Sequence, residues 1–133
     1  MSKDNLPQKK ILFVDDEKAL TALGEDLLTD EGYEVVCASS GRQALDLFEE
    51  HDRRFDLVVT DESMPGMTGI ELAQQLFPLA PNLPVVLCSG YLLSMADEGI
   101  AQTNIKKVLA KTDVFLMLPQ LIKALLATPS NIP

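Results

Sequence analysis

The chain has 133 residues, enough for one domain with a sizeable core, and 47% of them are hydrophobic. Eleven Lys and Arg face twenty Asp and Glu, a net charge of −9 that argues against nucleic acid as a partner and for cations or basic surfaces. Two cysteines do not make a disulfide framework, no apolar run approaches a membrane span, and Met1–Lys10 lacks a signal-peptide core, so a cytoplasmic location is expected.

Short apolar runs alternate with helical patterns. The runs are Ile11–Val14, Val35–Ala38, Leu57–Val59, Val85–Cys88 and Val108–Ala110. Their β-branched, non-alternating character predicts strands covered on both faces. Leu20, Leu23 and Leu27 predict a first helix that Gly32 can stop. Ser40 with Gln43, and Thr68 with Glu71, have capping-box spacing ahead of Ala44–Phe48 and Leu72–Phe77. Ser94 with Asp97 is a weaker start for a fourth helix. The last helix is expected near Pro119, with Leu118, Leu121, Ile122 and Leu125 as its buried stripe. Five β-α units predict an α/β fold, a doubly wound parallel sheet in one domain with a core of about residues 9–127 and frayed ends, Met1–Gln8 and Thr128–Pro133.

Ligands of such sheets bind beyond the carboxyl ends of the strands. Asp15, Asp16 and Glu17 follow the first run, Asp61 the third, Ser89 the fourth and Lys111 the fifth. Gathered in space, three aspartates would repel one another until a hard cation such as Mg²⁺ relieved them. A lysine and a hydroxyl beside that metal suit a phosphoryl group, and any of the three aspartates could be its nucleophile. Each residue alone has a plainer reading. Asp15 and Asp16 could cap a helix, Asp61 could be a turn residue before Pro65 and Gly66, Ser89 could be ordinary loop chemistry, and Lys111 a solvated surface lysine. The joint placement at four strand ends favours a Mg²⁺-dependent phosphoryl site. Cys37 and Cys88 are expected to pack as small apolar side chains, and His51 to be a surface residue at a helix end.

Four segments carry a family resemblance: ILFVDDE at 11–17, DLVVTDESMPGMTG at 56–69, VVLCSG at 85–90 and VLAK at 108–111. The chain resembles the receiver domain of two-component response regulators over roughly Lys9–Ala127. The resemblance implies the flavodoxin-like strand order 2-1-3-4-5, for which a member of this family is the standard example. It implies Asp61 as phosphoacceptor, Asp16 as a direct Mg²⁺ ligand, Asp15 as a supporting one, and the backbone carbonyl of Ser63 as a further ligand. Ser89 and Lys111 match the residues that contact the phosphoryl group. The implied donor is a sensor histidine kinase or a histidine phosphotransfer protein, and the output is contact with a downstream protein, with no nucleic acid and no membrane. Such a domain is not an enzyme beyond gaining and losing its own phosphoryl group. LCSGY at 87–91 is also similar to receivers appended to hybrid sensor kinases.

Two positions depart from the family. Thr112 replaces the usual proline after the lysine, so a trans bond is expected there, with Lys111 shifted or its loop loosened. Val108 replaces the usual aromatic of the fifth strand, which implies an altered output. Tyr91 is expected at the site mouth, shielding an acyl phosphate from water. A phosphorylation-independent pseudo-receiver is the alternative. A phosphohydrolase fits less well, because no aspartate stands two residues after Asp61.

Overall fold

The computed structural model of the chain describes residues 8–90 and 98–127. Its strands are β1 (Lys10–Val14), β2 (Glu34–Ala38), β3 (Leu57–Asp61), β4 (Val85–Ser89) and β5 (Ile105–Ala110). Its α-helices are α1 (Lys18–Asp30), α2 (Gly41–Glu50), α3 (Gly69–Leu76) and α4 (Val114–Leu126). The strands form one parallel sheet in the order β2-β1-β3-β4-β5, the flavodoxin-like arrangement. The expected fourth helix at Ser94 and Asp97, and Tyr91, lie outside the described residues; a short 3₁₀ turn, Glu98–Ile100, leads toward β5.

Alternation along β1 divides the core in two. Leu12 and Val14 face Phe48, Leu72 and Leu76, on the side of α2 and α3. Ile11 and Phe13 face Leu28, Leu118 and Ile122, on the side of α1 and α4. Central β3 and β4 are buried throughout, which explains their unbroken apolar runs. The edge strands are less covered: β5 exposes Lys106 and Lys107, and its pairing with β4 shifts register between Val85 and Val86.

Local chemistry fixes the helix ends. Gly32, at φ +99°, closes α1 in a Schellman turn: its N–H reaches Thr29 O at 3.0 Å, and Tyr33 N reaches Leu28 O at 3.1 Å. Thr68 and Glu71 form the expected capping box on α3. The Ser40 box is only half made. Ser40 Oγ accepts from Gln43 N at 3.0 Å, but Gln43 Oε1 accepts from Ser39 N at 2.6 Å instead of closing on Ser40.

Several expectations are corrected. Helix α4 begins at Val114, and Pro119 is its sixth residue instead of its opening one. Burial of Val114 and Leu118, one turn apart, draws the start back; it offsets the roughly 3 kcal/mol that an interior proline costs. On α1 the buried line runs through Gly24 and Leu28, while Leu23 is 50% exposed. Gly24 is there because Phe13 fills its space: a methyl group at residue 24 would lie 2.5 Å from Phe13 Cζ. Strand β3 runs two residues past Val59, since Thr60 and Asp61 pair with Leu87 and Cys88, and β5 starts three residues before Val108. Gln8, expected in the frayed end, donates from Nε2 to Gly32 O at 3.0 Å. His51 is not a free surface group. Its Nδ1 accepts from Lys10 Nζ at 2.8 Å, and its ring lies 5.3 Å from that of Phe55.

Candidate functional site

The carboxyl ends of β1, β3, β4 and β5 converge, and the sequence-predicted residues converge with them. Asp61 is the last residue of β3 and Ser89 the last of β4; both are buried. Asp15 directly follows β1, and its N–H is tied to Ala38 O at 3.1 Å, which anchors it across to β2. Lys111 directly follows β5, where its N–H donates to Ser89 O at 2.9 Å. Backbone pairing therefore sets the positions of these side chains, and the loops only complete them.

One carboxylate oxygen from each of Asp15, Asp16 and Asp61 lies within 4.8 Å of the other two, a spacing that could hold a metal ion. Asp15 and Asp61 are buried and Asp16 is exposed, so the cluster opens outward on one side. Its all-oxygen donor set, with two of three groups already desolvated, fits a hard divalent cation such as Mg²⁺. Lys111 Nζ approaches Asp61 Oδ2 at 3.3 Å, and Ser63 N lies 3.4 Å from Asp61 Oδ1. Beneath the carboxylates lies a cavity of about 50 Å³, walled in part by Phe13, Leu20, Cys88 and Phe115.

Burial raises the Asp15 carboxyl from 3.8 to about 6; the Glu17 amide at 2.9 Å lowers it, and the neighbouring Asp61 charge raises it further. Burial pulls the Lys111 ammonium down, but the Asp61 carboxylate outweighs this and holds it above its ordinary value. Burial pushes the Cys37 and Cys88 thiols up to about 11 and about 12, which fits inert packing groups.

The Asp15 shift has a definite sign. Between about pH 4 and pH 6 the folded protein keeps a proton that the unfolded chain has released, so metal-free stability falls as pH rises through this window. Asp15→Asn should therefore stabilise the EDTA-treated protein at pH 7, by on the order of 2 kcal/mol. The gain should fade below pH 6 and vanish near pH 4, as read by urea unfolding of both proteins across pH. A gain independent of pH would overturn the assignment.

The family departures are mild in structure. No described peptide bond is cis, so Thr112 follows Lys111 in trans. Lys111 is not displaced from Asp61, and a turn bond from Asp113 N to Ala110 O at 2.8 Å holds its loop. Val108 is half-buried against the core on the α2 and α3 side.

One residue has no signal in the sequence pattern. Glu62 lies beside Asp61, and its Oε1 accepts from Ile70 N at 2.9 Å, at the start of α3. Burial raises its carboxyl, the Ile70 bond lowers it, and the Asp61 and Glu71 charges raise it. Its partner stands eight residues on, beyond any local capping pattern.

Residues 11–123 match the family model described as "Response regulator receiver domain". The chain belongs to the receiver domain family. This receiver domain is 36% identical over 83 residues to Sporulation initiation phosphotransferase F of Bacillus subtilis (strain 168), an alignment covering 62% of this chain and 65% of that protein. It is 38% identical over 92 residues to Sensor kinase CckA of Brucella abortus (strain 2308), covering 69% of this chain and only 9% of the kinase. Among solved structures it resembles response regulator protein TrrA of Thermotoga maritima in complex with Mg(2+)-BeF. The TM-score is 0.78 and the identity 30%, with 89% of this chain and 99% of that one covered. Among its described residues, no helix is long and apolar enough to cross a membrane.

Proposed function

We propose that this receiver domain is the phosphoacceptor of a two-component phosphorelay, with Asp61 receiving the group from a phosphohistidine of a sensor histidine kinase or a histidine phosphotransfer protein. The observation that carries this reading is the buried Asp61 carboxylate, 3.3 Å from one ammonium and grouped with two more carboxylates. The relatives named above, a phosphotransferase and a sensor kinase, and the Mg(2+)-BeF complex of TrrA support it.

Asp15, Asp16, Asp61 and the Ser63 carbonyl would hold Mg²⁺. Bound there, the ion would supply positive charge to the oxygens of the transferred group. An Asp61 carboxylate oxygen forms the new bond to phosphorus as the P–N bond to the donor imidazole breaks. The electron pair stays on that nitrogen, which takes a proton from water. Lys111 turns its ammonium from the Asp61 carboxylate toward a phosphoryl oxygen, and the Ser89 hydroxyl donates to another. The acyl phosphate adds charge near −2 at the strand ends, and the output is a changed surface for a downstream protein. The chemistry is confined to gain and loss of the domain's own phosphoryl group, without turnover of a separate substrate. Val108, where the family carries an aromatic, favours a second reading as a phosphorylation-independent interaction module.

Intact mass after incubation with acetyl phosphate separates the two. One phosphoryl adduct is expected with Mg²⁺ and none with EDTA. Failure to label from acetyl phosphate and from a phosphohistidine protein, together with failure to bind Mg²⁺, would leave the second reading standing.

A further inference from the structure

Glu62 is held through its backbone N–H, its backbone carbonyl and one side-chain oxygen. Its N–H donates to Cys88 O at 2.8 Å, its carbonyl accepts from Gly69 N at 3.1 Å, and Oε1 accepts from Ile70 N at 2.9 Å. The first two are backbone bonds open to any residue at this position. The third needs an acceptor side chain. An α-helix leaves its first N–H groups without intrahelical partners. On α3, Thr68 Oγ1 takes that of Glu71 at 3.1 Å, and Glu62 takes those of Gly69 and Ile70.

Residue 62 therefore clamps the two ends of the Ser63–Thr68 loop together, with β4 on its other side. Ser63 is the first residue of that loop. A long contact ties it to the acidic cluster, from its N–H to Asp61 Oδ1 at 3.4 Å. Pro65 and the left-handed Gly66, at φ +84°, turn the chain beyond it. The bonds that hold the chain as it enters Ser63 are thus those of Glu62.

We infer that Glu62 is a positioning residue for the phosphoryl site: fastened to the Ile70 N–H, its side chain fixes the Ser63 backbone and so the set of oxygens offered to Mg²⁺. The inference rests on the phosphoacceptor reading above. It assigns the effect to the hydrogen bond and not to the negative charge, and two substitutions separate these. Glu62→Gln keeps an acceptor oxygen and removes the charge. Glu62→Ala removes both, and Glu62→Leu serves in its place should the alanine variant lose its fold.

Mg²⁺ titration calorimetry on the three proteins, with NMR hydrogen exchange of the Ile70 amide, makes the test. Glu62→Ala should bind Mg²⁺ about tenfold more weakly, while Glu62→Gln stays within about threefold of the parent, the scale of losses when a group supporting a metal ligand is removed. The Ile70 amide should be protected in the parent and in Glu62→Gln and should exchange faster in Glu62→Ala. Unchanged affinity in Glu62→Ala with a deprotected Ile70 amide would overturn the inference alone. Equal weakening in Glu62→Gln, with Ile70 still protected, would transfer the effect to charge and overturn it as well. A parent protein that binds no Mg²⁺ would instead remove the phosphoacceptor reading, and this inference with it.

Discussion

Asp61→Asn should abolish the Mg²⁺-dependent phosphoryl adduct, lowering labelling by more than about a thousandfold, the scale lost when an enzyme's nucleophile is removed. The side chain keeps its size, and its Oδ1 can still accept from Ser63 N, now 3.4 Å from Asp61 Oδ1. What disappears is the anionic oxygen that would form the bond to phosphorus. Asp61 is 2% exposed and sits among β1, β3 and β4, so a general loss of fold is the competing explanation. Thermal unfolding removes it: the variant should melt cooperatively, close to the parent. Adduct retained in a folded Asp61→Asn protein would place the acceptor elsewhere in the cluster.

Gly69→Ala should be the most damaging small change near the site. A methyl group there would lie 2.4 Å from the Asp61 carbonyl oxygen and 2.7 Å from Leu87 Cδ1. The carbonyl belongs to the last residue of central β3, which pairs with Cys88 of β4 directly after Thr60 pairs with Val14 of β1, so it cannot yield without disturbing the sheet. Helix α3 must move instead, and with it the capping bonds to Glu62. The expected cost is about 3 kcal/mol, at the upper end of ordinary overpacking. Gly66→Ala is the control. Residue 66 has open space around it and a left-handed φ of +84°, so only about 1 kcal/mol of backbone strain is at stake there. Urea midpoints measure both. Equal losses in the two variants would mean that the Asp61 contact is not what glycine protects.

Much of this architecture is legible in the sequence because it is written in short-range chemistry. Buried strands announce themselves as apolar runs, and the polar residue ending each run lands at the site. Thr68 and Glu71 spell out the start of α3, and Gly32 the end of α1. What escapes is chemistry between residues that are distant in sequence or judged by a rule with exceptions. Leu23 looks like a stripe residue until Phe13 is seen to occupy the space over Gly24. Pro119 looks like a helix start until Val114 is seen in the core. His51 looks like an exposed helix end until Lys10, 41 residues away, is found to donate to it. Asp61 and Ser89 look like loop residues because polar groups seldom end a buried strand; here Asp61 still pairs with Cys88 of β4 and Ser89 with Ala110 of β5.

The outer strand β5 has a consequence for life at high concentration. A sheet edge offers unpaired N–H and C=O groups to any passing chain, and long flat edges seed fibrils. In β5, Lys106 and Lys107 both stand exposed on the last strand, and a register irregularity kinks the pairing at its start. A second copy aligning there would have to bring like charges together along a bent rim. The β5 flank therefore resists self-templated polymerisation, while the acidic mouth at its far end stays open to a cation.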